Sequence, residues 1–322
     1  MAVTQIAPAP LFAWPSRQRV VSAVLMIATL VAIGVYAPNF FRYHNIINVL
    51  LQVSLLGLLA IGMTVVMIVG GIDLSLPANT AMGAVLGALY MKATGDWAVG
   101  ALIMIAAGLL IGLVNGFAVA RLKMIPFVVT LATMTVVSGA SVWVTNSLSI
   151  SQLPDTFIDF FDARPLLGVP VTVLVVAVLA GLVAMLMRSS VAGRWAYAVG
   201  INDRAARVAR IPIGRVILAS YVFSGLMAGL TAILLTARLG SASANMGNDG
   251  VVLDIVSACV VGGVSIYGGS GRVPGALFGA LLITILSNAM NLIGVSYYLS
   301  LIVKGAVIIA FVAIDGRKET KR

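Results

Sequence analysis

About ten stretches of roughly 20 mostly apolar residues, each long enough to cross the ~30 Å hydrocarbon core of a bilayer, follow one another along this 322-residue chain. They fall near 20–37, 47–69, 74–91, 97–120, 126–146, 169–187, 215–237, 251–268, 273–292 and 297–314. No water-soluble core takes up so many: the chain is 61% hydrophobic and 9% charged, with a mean hydropathy of +1.11. In lipid every backbone group must be satisfied internally, which a helix does within one segment. The expected class is an all-α polytopic membrane protein.

The charges orient it. The net charge of +10 invites a nucleic-acid reading, but its distribution argues otherwise. With the amino terminus inside, fifteen of the twenty Lys and Arg residues fall in inner segments, while Arg42, Lys92, Arg164 and Arg238 fall outside and Lys304 lies within a span. That asymmetry is the positive-inside rule. It supports ten spans with both termini cytoplasmic, contacts with lipid, and no nucleic-acid partner. Residues 1–16 carry no charge and do not resemble the basic start of a cleavable signal, so 20–37 is expected to be retained as an anchor.

No soluble region reaches the ~50 residues of a small domain. The expected organisation is a cytoplasmic tail at 1–19, one membrane domain at 20–314, and a cytoplasmic tail at 315–322. The longest outer segment, Ser147 to Gly168, mixes Asp155, Asp159 and Asp162 with Phe157, Phe160 and Phe161. It reads either as an aromatic belt at the membrane surface or as a docking surface for an external partner. Small residues recur four apart at Gly83 and Gly87, at Gly108, Gly112 and Gly116, at Gly225 and Gly229, and at Gly275 and Gly279. Such spacing lets helix backbones approach closely. The segment Val69-Gly70-Gly71-Ile72-Asp73-Leu74-Ser75 is echoed by Val261-Gly262-Gly263-Val264-Ser265-Ile266-Tyr267; this is either chance in a chain rich in Val and Gly or a pair of glycine-broken segments of the kind that line transport pathways.

The one long polar interruption is the loop 188–215, with Arg188, Arg194, Arg204, Arg207, Arg210 and Arg215. Within it, 202–211 reads as a short helix. Asn202 suits the N-cap and Asp203 the first turn, and Pro212 disfavours helix in the residue before it. At 100° per residue Ala205, Ala206, Val208 and Ala209 share one arc, opposite Arg204, Arg207 and Arg210. A face of small residues fits a groove on another protein.

Catalytic chemistry is hard to assemble. Cys259 and His44 are the only residues of their types, which excludes an internal disulfide and a Cys/His metal cluster. There is no HExxH and no GxSxG. The run Gly268-Gly269-Ser270-Gly271-Arg272-Val273-Pro274-Gly275 lacks the Lys-Ser/Thr ending of a phosphate loop, and reads as a tight turn whose Pro274 starts the next helix. Asp73, Asp254 and Lys304 are ionisable residues in or near the membrane and are functional candidates for that reason. Asp73 alternatively caps the third span at the inner surface, Asp254 stands in the first turn of the eighth, and Lys304 needs a partner or a wet cavity. Ion-driven carriers place acidic or His relays deep in the bundle, and this chain lacks them. Energy for active transport has to come from another polypeptide, through the arginine-bearing loop.

These residues resemble the permease subunits of bacterial ABC importers for monosaccharides, over nearly the whole chain. Gly71-Ile72-Asp73-Leu74-Ser75 is similar to the family's signature after the second span, and Gly262 to Gly271 to its glycine-rich turn. Asn288, Asn291-Leu292, Gly294-Val295-Ser296 and Ile302-Val303-Lys304-Gly305 are similar to its carboxyl-terminal pattern. Gly193-Arg194, Gly200, Asn202, Ala205-Ala206 and Ile211, with Arg207 among them, fit its coupling loop, which sits in a cleft of the ATPase subunit. Pro77, Val252 and Arg210 depart from the pattern; a glycine is common at the first and last of these positions and an acidic residue at the second. Tyr267-Gly268-Gly269 resembles permeases for rhamnose and autoinducer-2 as well as those for pentoses.

The resemblance implies a type II importer bundle in the bacterial cytoplasmic membrane. The chain itself would bind no cofactor, with ATP and Mg used by the ATPase. Its partners would be that ATPase, a periplasmic sugar-binding protein, and a second permease subunit, identical or paralogous, with a path at the axis between the two. A polyhydroxylated solute needs hydrogen bonds without a deep trap, so Ser75, Asn79, Ser265, Asn288 and Asn291 join Asp73, Asp254 and Lys304 as path candidates. A branched-chain amino acid permease and a stand-alone ion-coupled carrier are the alternatives.

Overall fold

The computed structural model describes residues 38–319 apart from 167 and 248, together with 24, 27, 31, 33 and 34, which are helical. The expected first span thus lies mostly outside the described residues, as does the tail 1–19. Helices follow in chain order: α1 Tyr43–Ile68, α2 Leu76–Thr94, α3 Trp97–Ala120, α4 Pro126–Thr145, α5 Asp155–Asp162, α6 Val171–Ser189, α7 Val191–Ile201, α8 Asp203–Val208, α9 Ile213–Leu239, α10 Asp249–Val261, α11 Val273–Leu292 and α12 Tyr297–Glu319. Among the described residues there are no strands, only the bridges Ile150 to Ala242 and Leu166 to Val169.

Among the described residues, seven stretches are long and apolar enough to cross a membrane: α1, α3, α4, α6, α9, α11, and α10 taken with the short 3-10 turn before it. The nineteen residues of α2 include Asn79, Thr80 and Lys92 and are not among the seven. The described apolar part of α12, Tyr297–Ala310, is a shorter helix. The expected eighth span, 251–268, is displaced: α10 ends at Val261, and the stretch long enough to cross runs over Ala244–Val261. The 13 residues of α10 alone rise about 20 Å at 1.5 Å each, and the turn before it supplies the rest.

α1 is the hub, with 72% of its apolar window buried, against 22% for α4 and for α6 at the rim. The outward residues of α3 and α4 are themselves apolar, among them Leu102, Leu110, Phe117, Phe127, Val136 and Trp143. A surface of that kind is stable facing lipid. α3 and α9 meet backbone to backbone: a Cβ added at Gly108 would overlap the carbonyl oxygen of Gly225, and one at Gly112 that of Tyr221. The same device joins α10 to α11, where a Cβ on Gly262 would overlap the Gly275 carbonyl and one on Gly279 that of Ala258. The glycine spacing read from the sequence therefore closes two helix pairs.

The segment 147–168 contains α5, whose Phe157 and Phe161 pack inward while Phe160 stays exposed. Phe157 is fully buried, and Trp97 stacks on Phe160 with centroids 5.6 Å apart. Asp155, Asp159 and Asp162 stay exposed on the other side of the short helix.

The expected effect of filling these contacts is selective. Gly225→Leu should lower thermal stability in detergent by at least the 1–3 kcal/mol typical of overpacking. Gly305→Ala, where nothing lies within 4 Å of the new Cβ, should be neutral or stabilise by about 0.4–1 kcal/mol. Equal effects at the two sites would contradict the backbone contact.

Candidate functional site

The break between α1 and α2 lies inside the bundle. Asn79 Nδ2 donates to the Gly108 carbonyl (3.2 Å) and Thr80 Oγ1 to the Ala228 carbonyl (3.3 Å), and those acceptors sit near the middle of α3 and α9. α2 therefore starts level with mid-helix neighbours, and Asp73 is buried at 1% exposure instead of lying at the inner surface. Nor does Asp73 cap α2, whose N-cap position is Ser75 and has no side-chain cap bond. Its Oδ1 accepts from the Ser75 N–H (3.1 Å) and hydroxyl (2.6 Å), and its Oδ2 from the Ser224 hydroxyl (2.7 Å). Asn115 Nδ2 donates to Ser75 Oγ (2.8 Å), and Thr133 Oγ1 to Asn115 Oδ1 (2.6 Å). One chain of hydrogen bonds thus runs from α9 through the break to α3 and α4.

Toward the other end, α1, α2, α9, α10 and α11 line a half-open cavity of about 210 Å³. Apolar residues such as Leu55, Leu59 and Leu235 form most of its wall, into which Gln52, Thr80, Thr231, Arg238, Asp254 and Ser287 are set. Asp254 answers the question Lys304 posed: Nζ lies 2.8 Å from Oδ1 and 3.0 Å from Oδ2. The pair ties α12 to the cavity wall. Arg238 donates from Nη2 to Asn48 Oδ1 (2.8 Å).

The polar loop folds as two helices. Ser190 caps α7, its hydroxyl accepting from the Gly193 N–H (3.0 Å), and Gly193 sits against the Met187 carbonyl. Arg194 Nη1 donates to the Ser189 carbonyl (3.0 Å). α7 then meets the end of α1 and the glycine turn at one junction. A Cβ on Gly200 would overlap the Ile68 carbonyl, that carbonyl accepts from the Gly269 N–H (2.9 Å), and Tyr197 donates its hydroxyl to the Gly271 carbonyl (2.8 Å). Burial holds the Tyr197 phenol above its ordinary range, with the Arg272 charge opposing, so it stays a neutral donor. Gly268, at φ +90°, lies against Gly70, so the two echoed glycine segments touch.

Asn202 caps α8, accepting from the Ala205 N–H (3.0 Å). The Ile211 N–H closes the helix on the Ala206 carbonyl (3.0 Å), and Arg210 between them adopts φ +57°. That is the left-handed conformation glycine takes most easily, and it gives a physical reason for the glycine expected there. The apolar arc is divided: Ala206 is buried in its own chain, whereas Ala205, Val208 and Ala209 face outward, as do Arg204 and Arg207. With Val208 at 86% and Ile201 at 72% exposure, the outward face is apolar at both ends.

The path candidates read from the sequence scatter. Asp254 lines the cavity and Lys304 stands behind it; Asp73 and Ser75 belong to the buried network beside Asn79. Asn288 pairs with Asn45 through two reciprocal amide bonds of 3.0 and 3.1 Å. Ser265 accepts from the Tyr267 N–H within the glycine turn, and Asn291 is exposed. Asn115, Gln52, Arg238 and Ser287 were missed. A polar residue inside an apolar span is costly enough to be noticed, and by that signal Asn115 was findable.

The model of a family described as branched-chain amino acid transport system, permease component, matches residues 45–312. The chain belongs to this family. Relatives include the ribose import permease protein RbsC of Escherichia coli K12, 34% identical over 95% of this chain and 96% of its own, and that of Bacillus subtilis 168, 36% identical over 90% of each. The L-arabinose transport system permease protein AraH of E. coli K12 is 32% identical over 93% of this chain and 90% of its own. No solved structure matches. The permease is a non-catalytic subunit of an ABC importer and a multi-pass protein of the inner membrane.

Two outcomes are expected of the purified permease. Lys304→Met leaves Asp254 without its cation and should cost about 3–5 kcal/mol of stability, while Lys304→Met combined with Asp254→Leu should recover most of it; thermal unfolding in detergent reads both. Arg210→Gly removes a left-handed strain of about 1–2 kcal/mol and should slow hydrogen exchange across 203–211.

Proposed function

We propose that this permease carries a pentose or related monosaccharide inward across the cytoplasmic membrane, driven by a separate ATPase subunit. The observation that carries this reading is the names of the relatives: ribose and L-arabinose permeases match over nine-tenths or more of both chains. The family description also mentions branched-chain amino acids, but those relatives give the sugar its preference. Ten spans with both termini cytoplasmic complete the topology. A periplasmic sugar-binding protein delivers the solute to the outer face, and a second permease subunit completes the membrane unit. ATP and Mg belong to the ATPase.

The loop 188–215 is the ATPase contact in this reading. Its outward residues Ile201, Ala205 and Val208 supply an apolar face beside Arg204 and Arg207, while Gly193, Arg194, Gly200, Asn202, Ala206 and Ile211 shape and seat the helices that present it.

Reconstituted with its ATPase and binding protein, the permease should hydrolyse ATP faster when ribose or L-arabinose is supplied and not when leucine is. Stimulation by leucine alone would move the cargo to amino acids, and sugar uptake by the purified chain under a proton or sodium gradient would remove the importer reading altogether. Ala205→Glu should abolish coupled uptake with the fold intact. Ala206→Glu should instead destabilise the loop, because it forces a charge into the chain's own packing.

A further inference from the structure

We infer that the glycine turn between α10 and α11 is a second contact for the ATPase subunit, with Tyr267 as the side chain that anchors it. This rests on the reading of 188–215 as the ATPase contact and extends that contact to a distant part of the chain.

Position comes first. The exposed aromatic residues of α3 and α4 belong to the lipid-facing rim. Tyr267 is 60% exposed in different surroundings, because its turn lies against the end of α1, the most buried of the crossing helices. A Cβ on Gly268 would lie 2.9 Å from Gly70 Cα and 3.1 Å from the Gly200 carbonyl oxygen, and the Gly269 N–H donates to the Ile68 carbonyl (2.9 Å). A side chain beyond the end of the hub helix is held away from the rim, so an aromatic belt at the lipid surface does not account for it.

The turn also adjoins the loop. A Cβ on Gly269 would lie 2.8 Å from Ile201 Cγ1 and 3.0 Å from its Cα, and Ile201 is itself 72% exposed. A protein that covers Ile201 is then two residues from Tyr267. It needs the extra surface. A stable interface takes roughly 20–30 residues a side, whereas 188–215 exposes sixteen, spread around α7, α8 and their flanks. Beside Ile201 the turn supplies more at Tyr267 and Ser270, both exposed.

The ring stands on a fixed backbone. The Tyr267 N–H donates to Ser265 Oγ (3.2 Å) and the Ser265 N–H to the Ser270 carbonyl (3.0 Å), while Gly268 and Gly269 hold φ of +90° and +71°. Little chain entropy is left to lose on docking. Tyrosine is a frequent interface anchor, since its ring brings apolar area and its hydroxyl one directed hydrogen bond. Ile201, Tyr267 and Val208, with Arg204 and Arg207 alongside, call for an ATPase surface that offers apolar pockets rimmed by carboxylates. One partner surface then holds the loop before α9 and the turn before α11 together.

The test uses the complete complex in lipid nanodiscs, with the photoreactive amino acid benzoylphenylalanine placed at 267 or at 201. On irradiation both positions should cross-link to the ATPase. Titrated with the ATPase, the Tyr267→Ala permease should show a Kd raised about thirtyfold, the loss of one interface anchor, with Tyr267→Phe in between. Its thermal unfolding without the ATPase should match that of the native chain, because the ring packs on nothing in its own protomer that the fold needs. If position 201 cross-links to the ATPase while 267 reaches only lipid or a second permease, and Tyr267→Ala keeps the native Kd, the turn is no contact and the loop reading stands. If neither position reaches the ATPase in a complex that imports sugar, both readings fall.

Discussion

The structure depends on a stretch of unwound backbone, Val69 to Ser75, held inside a membrane bundle. Non-helical backbone is tolerated at that depth only where protein groups replace the missing helical hydrogen bonds, and here they do so one by one. The Ile68 carbonyl accepts from Gly269, and the Ile72 carbonyl from the hydroxyls of Thr130 (3.2 Å) and Tyr221 (3.3 Å). The Ser75 N–H finds Asp73. Those partners come from α4, α9 and the turn before α11, so satisfying one short break draws distant parts of the chain around it. A carboxylate buried without such donors would be prohibitive. With three of them it becomes the fixed point of that half of the bundle.

Much of this was legible in advance where the signal is local. Apolar length announces a span, Asn202 followed by Asp203 announces a helix start, and glycines four apart announce a close helix pair; the described residues carry all three. Signals that need a partner elsewhere were not legible. Lys304 and Asp254 are 50 positions apart on different helices, and neither residue's neighbours say which carboxylate the lysine meets. The early stop of α10 was hidden because Val-Gly-Gly-Val is as apolar as the helix before it, so hydropathy runs on where the backbone turns. The helix expected over 202–211 is the shorter α8, Asp203–Val208, with Ala209 and the left-handed Arg210 beyond its end, and its division between a buried Ala206 and an exposed Val208 is something periodicity does not contain.

The two ends of the bundle use different chemistry. Around the inner junction, contact is made by glycine against carbonyl, with few side chains between. Around the cavity, polar side chains are set singly into a wall of leucine, isoleucine and threonine, and the one ion pair inside the bundle among the described residues stands behind that wall. Close packing suits a region that has to keep its shape.

The seating of Gly200 on the Ile68 carbonyl bears on how work crosses the membrane surface. Side chains act as cushions, because a rotamer change absorbs a small displacement before the backbone feels it. At Gly200 itself there is no side chain to yield: α7, the end of α1 and the glycine turn touch there through main-chain atoms, with the Tyr197 hydroxyl on the Gly271 carbonyl beside them. The helix that ends at this junction, α1, is continuous as far as Gln52 in the cavity wall, so a backbone contact at one end and a polar wall residue at the other belong to one element.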